Sequence, residues 1–317
     1  MIRRPDGQHI LAKDETERMG LGSFKALGGP YAITRLIETW WKEIHDETLR
    51  PERFVDRDVR EFAARLTFVC ATAGNHGLGV AAGAAHVGAN ARIYLASSVP
   101  KQFAERLNRL EADVVRGGDT YEDSLTLAIK ASEETGATLL ADISSPGYTE
   151  IPILVMEGYT VIAEEIRWQL KTSGDWPSHL FLQAGVGGMA AAMAHMVRLN
   201  WSKQPKIVVV EAAAAACLKA SAAAGRPVRA DGPTSNMGRL DCKEPSIVAW
   251  QTLELCNVIY ETVSDEQAAL ATRQLAALGV RTTPSGAAGY AAVNKQYPNT
   301  RGDSEFLPLV IISECPE

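Results

Sequence analysis

Thr67-Phe68-Val69-Cys70-Ala71-Thr72-Ala73-Gly74-Asn75-His76-Gly77 is a run of apolar, strand-forming residues that breaks into a small polar turn and then opens a helical pattern. The same texture repeats outward from it. Strands are expected at 67–71, 92–95, 113–116 and 138–141, with helices at 77–87, 101–110 and 121–135 between them. Short apolar strands separated by helices of ~10–15 residues indicate βαβ units and a parallel sheet.

Beyond a long expected helix at 151–170 the alternation resumes. It gives strands at 179–184, 206–211, 258–263 and 307–313, and helices at 189–200, 246–256, 265–278 and 285–297. The alanine-rich segment 212–229 has helical propensity, and 231–245, with its Gly and Pro, reads as a loop. Upstream, 9–12 is a short expected strand. Leu27, Tyr31, Ile33, Leu36, Ile37 and Trp40 recur at helical spacing, with Pro30 in the first turn. The expected organisation is a large domain of 1–64 plus 165–317 and a small α/β domain of 65–164, without internal repeats.

At 317 residues, 46% hydrophobic and 22% charged, the composition is that of a globular protein with a sizeable core. A formal net charge of -6 disfavours nucleic acid as the main partner, because phosphate backbones select basic faces. No apolar run approaches the ~20 residues of a membrane span. The segment after Met1 lacks the apolar centre of a signal peptide, so a cytoplasmic location is expected. Cys70, Cys217, Cys242, Cys256 and Cys315 are too scattered for a disulfide scaffold; whether Cys217 and Cys242 pair is left open. Neither C-x-x-C nor H-E-x-x-H occurs, so no metal site is expected.

Four segments carry chemistry. Ser23-Phe24-Lys25-Ala26-Leu27-Gly28-Gly29 places a lysine in an apolar run just before a helix. Burial lowers an amine pKa, and a desolvated lysine is the group that forms a Schiff base with a carbonyl cofactor such as pyridoxal phosphate (PLP). In Thr72-Ala73-Gly74-Asn75-His76-Gly77, the backbone N–H groups of Thr72, Ala73, Gly74 and Asn75 stand at a strand end and a helix start, where a carboxylate binds. A plain strand-to-helix turn is the competing reading, and His76 taken alone is a packing residue at a helix start. Ala184-Gly185-Val186-Gly187-Gly188-Met189 is a glycine loop of the kind that cradles a phosphate; its spacing does not match G-x-G-x-x-G, and no G-x-x-x-x-G-K-[ST] occurs. Finally, Ser313 ends the last expected strand, and Asp142 stands just past another, where α/β sites are built.

In this order, the segments resemble the tryptophan-synthase-β-like PLP enzymes of fold type II. That resemblance implies an α/β fold of two three-layer α/β/α domains with mostly parallel sheets. It also implies that Lys25 carries the Schiff base, flanked by Phe24, and that Asn75 contacts the cofactor ring. Gly185, Val186, Gly187 and Gly188 then hold the phosphate, and Ser313 faces the pyridine nitrogen. Within this group the chain is similar to the diaminopropionate ammonia-lyase family. The similarity rests on Lys13-Asp14-Glu15, on 22–29, on Gly147-Tyr148-Thr149-x-Ile151-Pro152, on Gly158-Tyr159 and on Leu240-Asp241-Cys242-x-x-Pro245-Ser246. The implied substrate contacts are Thr72, Ala73, Gly74 and His76, the implied assembly is a homodimer, and the N-terminal extension usual in that family is not expected.

One departure bears on the reaction. The family's turn carries an aspartate where this chain has Ala73, and the two family carboxylates serve one substrate enantiomer each. Asp142 matches the second. The implied activity is PLP-dependent α,β-elimination on a small amino acid: 2,3-diaminopropionate, the L-isomer favoured, to pyruvate and ammonia. Alternatives are a serine/threonine or 3-hydroxyaspartate dehydratase, a catalytically silent PLP-binding protein, and an NAD-dependent oxidoreductase.

Overall fold

The computed structural model describes residues 2–3, 7, 9–72, 74–296 and 306–316. Its first elements are β1 (Ile2–Arg3), β2 (His9–Asp14), α1 (Gly28–His45), α2 (Arg57–Ala63), β3 (Thr67–Ala71), α3 (Asn75–Val87), β4 (Asn90–Leu95) and α4 (Lys101–Asn108). β5 (Asp113–Arg116), α5 (Tyr121–Thr135), β6 (Thr138–Leu139), α6 (Glu150–Ser173), β7 (His179–Gln183) and α7 (Gly188–Asn200) follow. The chain continues through β8 (Lys206–Ala212), α8 (Cys217–Ala224), α9 (Ile247–Leu255), β9 (Val258–Val263), α10 (Asp265–Ala277), α11 (Ala288–Gln296) and β10 (Pro308–Ile312).

These elements form two compact units. One comprises Lys25–Asp142 and Glu150–Gly158. Its four-stranded sheet has the order β5-β4-β3-β6, and every pairing is parallel. β3 sits centrally because Phe68, Val69 and Cys70 bury on both faces, the pattern of a strand covered by helices on both sides. The register Val69↔Leu139 brings the carboxyl ends of β3 and β6 side by side. Residue 25 opens this unit, so 25–64, expected in the large domain, lies with β3–β6. The physical reason is a glycine contact between helices: a Cβ on Gly29 would stand 2.6 Å from the Gly79 carbonyl carbon, and one on Gly83 2.7 Å from Pro30 Cα. Only backbones without side chains let α1 and α3 approach so closely.

The other unit comprises Met1–Phe24, Ile143–Thr149 and Tyr159–Glu317. Its six strands run β1-β2-β10-β7-β8-β9, parallel except for β1 against β2. β10 is buried along its whole length and β8 at all but Lys206. Phe181, Val208, Val210, Val310 and Ile312 pack with Tyr290 and Val293 of α11 and with Ala268, Ala271 and Leu275 of α10. The expected mixed α/β fold with mostly parallel sheets is thus found.

Several expected boundaries move. β6 is two residues long, although the Leu140 N–H still reaches the Val69 carbonyl at 2.7 Å. The helix expected over 212–229 shrinks to α8 because Gly225, at φ +64°, closes it with a left-handed cap. The last expected helix begins at Ala288, and its expected end, Tyr297, lies outside the described residues. No disulfide joins Cys217 to Cys242. Among the described residues no helix is long and apolar enough to cross a membrane, and no cluster of three or more His, Cys, Asp or Glu side chains is arranged to hold a metal.

Candidate active site

The predicted site residues fall into two groups, one on each unit. In the first, Lys25 lies in a single 3-10 turn, Phe24–Ala26, ahead of α1. A Cβ on Gly79 would come within 2.5 Å of the Lys25 carbonyl oxygen, so α3 packs directly on the backbone of the lysine. Lys25 Nζ then reaches Asp142 Oδ2 at 2.6 Å, across 117 positions of sequence. The lysine is less buried than expected: its side chain is 26% exposed and that of Asp142 15%. Burial works to raise the Asp142 carboxyl, but the Lys25 ammonium opposes it through its charge and its hydrogen bond, and the group is held well below the usual carboxylate range.

The turn after β3 is held from within. Thr72 Oγ1 accepts the N–H of Gly74 at 3.0 Å and of Gly77 at 3.3 Å, and donates to the Gly74 carbonyl. The Thr72 N–H donates to the Tyr94 carbonyl. Both donors are thus engaged: the Thr72 N–H continues the β3–β4 ladder, and the Gly74 N–H closes the turn onto Thr72 Oγ1. Asn75 starts α3 and is half-buried. Ala73 lies outside the described residues. His76 is buried, its Nε2 is 2.9 Å from the Leu140 carbonyl, and its Nδ1 faces Asp142 Oδ2 at 3.9 Å.

In the second group, β7 runs into Gly185-Val186-Gly187-Gly188, and Gly188 is the first residue of α7. Gly187, at φ +103°, adopts a backbone that side chains rarely tolerate. A Cβ on Gly185 would stand 2.9 Å from Cys242 Sγ and 3.1 Å from the Arg239 carbonyl. The loop is therefore a cradle only glycine fits, at a helix N-terminus whose first N–H groups have no intrahelical acceptor. Val186 is fixed by the Ser246 N–H donating to its carbonyl at 3.0 Å. β10 runs parallel to β7 with Val310 opposite Phe181, so Ser313 and the glycine loop follow the same, carboxyl ends of neighbouring strands. Ser313 is buried, and its carbonyl accepts the Phe24 N–H at 3.1 Å. Phe24 itself meets the Tyr159 ring edge-on at 5.0 Å.

Sequence reasoning missed three supports. Glu211, at the end of β8, is fully buried and accepts the N–H of Leu218 and Lys219 at 2.8 Å each. Burial pushes its carboxyl up to about 7 despite those two bonds. Glu314, next to Ser313, accepts the Thr283 hydroxyl at 2.6 Å, with Arg239 Nε 3.8 Å away. Ser144 and Ser246 share a hydrogen bond of 2.7 Å, and the Val248 N–H donates to Ser144 Oγ, tying 143–149 to the start of α9. Ser246 precedes α9 yet makes no side-chain cap bond, its hydroxyl going to Ser144 instead, and nothing local marked that pairing or Glu211.

Comparison with known proteins places these features in a lineage. Diaminopropionate ammonia-lyase of Escherichia coli (strain K12) is 34% identical over 269 residues, 84% of this chain and 66% of that protein. The enzyme of the same name from Salmonella typhimurium (strain LT2) is 36% identical over 247 residues, 76% of this chain and 61% of that protein. The chain thus spans slightly under two thirds of the length of the curated relatives it matches. A crystal structure of diaminopropionate ammonia lyase from Escherichia coli in complex with D-serine superposes with a TM-score of 0.82 at 29% identity, over 96% of this chain and 80% of that one. The family model described as pyridoxal-phosphate dependent enzyme matches residues 2–309, and the chain belongs to that family.

Proposed function

We propose that the protein is a PLP-dependent ammonia-lyase that carries out α,β-elimination on a small amino acid, with 2,3-diaminopropionate as substrate. The observation that carries this reading is the 2.6 Å pair of Lys25 and Asp142: an amine able to hold a carbonyl cofactor beside a carboxylate able to take a proton. The relatives named diaminopropionate ammonia-lyase support the substrate.

The residues present fit the cofactor. The loop at 185–188 opens α7, whose first N–H groups suit a phosphate, and Gly185 and Gly187 keep it in that form because a Cβ at either would meet Cys242, Ala249 or Leu218. When bound, PLP supplies an electron sink for the pair left by the departing α-proton. Lys25 would tether it, Phe24 and Asn75 would flank its ring, Gly185, Val186, Gly187 and Gly188 would hold its phosphate, and Ser313 would face its ring nitrogen. The chain's own groups then do the following. The Lys25 amine and the Asp142 carboxylate are the two bases within reach of a substrate Cα–H. Lys25, once relieved of the proton it shares with Asp142, makes Asp142 the stronger acceptor. The β-amine leaves as ammonia, and water completes the balance: diaminopropionate and water give pyruvate and two ammonia.

Ala73 in place of a second carboxylate supports a preference for the L-isomer. A homodimer in the cytoplasm completes the proposal, and light scattering of the purified protein tests the assembly. The Ala73 turn also favours one other reading, dehydration of serine, threonine or 3-hydroxyaspartate. Release of ammonia and 2-oxo acid, measured side by side on both enantiomers of diaminopropionate and serine, L-threonine and 3-hydroxyaspartate, separates the two. Turnover of L-diaminopropionate and not the D-isomer is the expected result; turnover of hydroxy amino acids alone moves the protein to the dehydratases. Lys25→Ala is expected to abolish both turnover and the cofactor's ~400–430 nm absorbance, the signature of a lysine-bound carbonyl cofactor. Retained turnover in that variant would overturn the assignment.

A further inference from the structure

His76 is used neither by the fold alone nor by the mechanism above. It is buried, yet its Nδ1 has no hydrogen-bond partner. A carbonyl oxygen can only accept, so the 2.9 Å contact with Leu140 fixes the ring proton on Nε2. Burial lowers the imidazole pKa, with the Asp142 carboxylate opposing and Lys25 assisting, so the ring is neutral and Nδ1 carries a bare lone pair. That lone pair faces Asp142 Oδ2 at 3.9 Å, the same oxygen that holds Lys25 Nζ at 2.6 Å. Two acceptors stand opposite each other with no proton between them. The remaining titratable neighbour, the buried Cys70 thiol on β3, is pushed up by burial and then by Asp142, so it stays neutral and contributes no charge.

We propose that His76 is a positioning residue for the proton-transfer step: it accepts, through Nδ1, the hydrogen bond of Asp142 once Asp142 has been protonated. This rests on the reading of Asp142 as a base for the substrate α-proton. In that step the Cα–H bond breaks, its electron pair stays with the substrate carbon, and an O–H bond forms on Asp142. The new O–H needs an acceptor in a buried place, because an unmet donor there carries the full desolvation cost of the group. Closing the 3.9 Å gap to hydrogen-bond length gives it one. His76 thereby makes a carboxylate otherwise held in its ionised form by Lys25 a better proton acceptor, and holds it aimed while it carries the proton.

The first readout needs neither cofactor nor substrate. Nitrogen-15 NMR of the cofactor-free protein near neutral pH is expected to show His76 with a protonated Nε2 and a bare Nδ1. A protonated Nδ1 overturns the proposal. The second uses His76→Gln, which keeps an N–H for the Leu140 carbonyl and replaces the basic Nδ1 with a far less basic amide oxygen. With L-2,3-diaminopropionate, kcat is expected to fall about ten- to hundredfold while KM stays within about twofold. The isotope effect with the α-deuterated substrate is expected to rise, which a loss of packing alone would not produce. A wild-type kcat and isotope effect in His76→Gln overturns the proposal while leaving the lyase reading intact. Turnover surviving in Lys25→Ala sinks the lyase reading and leaves the NMR result standing. Should His76→Gln fold poorly, the NMR of the unaltered protein still decides.

Discussion

Glu211 shows how one side chain can couple the fold to pH. Its carboxyl is raised to about 7 by burial, whereas an exposed glutamate titrates near 4.5. Between those values the unfolded chain has lost the proton and the folded chain keeps it, so unfolding releases a proton and stability falls as pH rises. Below about 4.5 the contribution is complete; above about 7 it is gone. Glu211→Gln removes the titration. The stability of the unaltered protein relative to this variant is therefore expected to drop by about 2–3 kcal/mol between pH 5 and pH 8, read from urea midpoints. Parallel pH profiles would refute it. This behaviour was not legible in the sequence, because a Glu closing a strand looks the same whether water or Leu218 and Lys219 lie beyond it. Lys25 and Asp142 were legible as types, each at an element boundary, but their shared proton depends on a 117-residue closure.

Among the elements, the helix pair α1–α3 and the loop before α7 carry the geometry. Ala at position 79 would put a methyl carbon 2.5 Å from the Lys25 carbonyl, a backbone atom that cannot swing aside. Gly79→Ala is expected to cost about 1–3 kcal/mol. It is also expected to lower kcat, since the turn that aims Lys25 must move; thermal unfolding and steady-state kinetics check the two halves. Gly187→Ala acts differently. Its φ of +103° strains any side chain by about 1–3 kcal/mol, and the added carbon meets Ala249 and Leu218 at 3.1 Å. The expected outcome is PLP affinity weakened by at least about tenfold, measured by fluorescence titration, because the cradle itself deforms. A variant with unchanged affinity would separate the glycine from phosphate binding. The sequence announced both elements, since glycines flanked by apolar helix signals mark turns and close contacts. It did not announce which glycine faces which neighbour: Gly29 and Gly79 meet because two helices cross, and periodicity carries no crossing point.

For the whole molecule, the family's cofactor links function to stability. A ligand that binds only the folded chain adds about 2.7 kcal/mol at a hundredfold excess over its Kd. PLP is therefore expected to raise the melting temperature of the cofactor-free protein, and less so for Lys25→Ala, which keeps the glycine cradle and loses the tether. Differential scanning calorimetry reads both; equal shifts would mean that the lysine contributes nothing to holding the cofactor. At this scale the alternation of strands and helices, the parallel sheets and the order of lysine, turn, glycine loop and terminal serine were all written in the sequence. Each is set by contacts within a few residues, or by the spacing of apolar side chains, and these survive in a one-dimensional reading. Tertiary structure alone decided that 25–64 belongs with β3–β6, that the Thr72 N–H pairs with Tyr94 of β4 while the Gly74 N–H closes its own turn, and that Glu211 is buried with a raised pKa. It alone placed a bare histidine nitrogen opposite Asp142. Those outcomes depend on which distant atoms exclude water from a given group, and desolvation is a property of the packed chain rather than of any stretch of it.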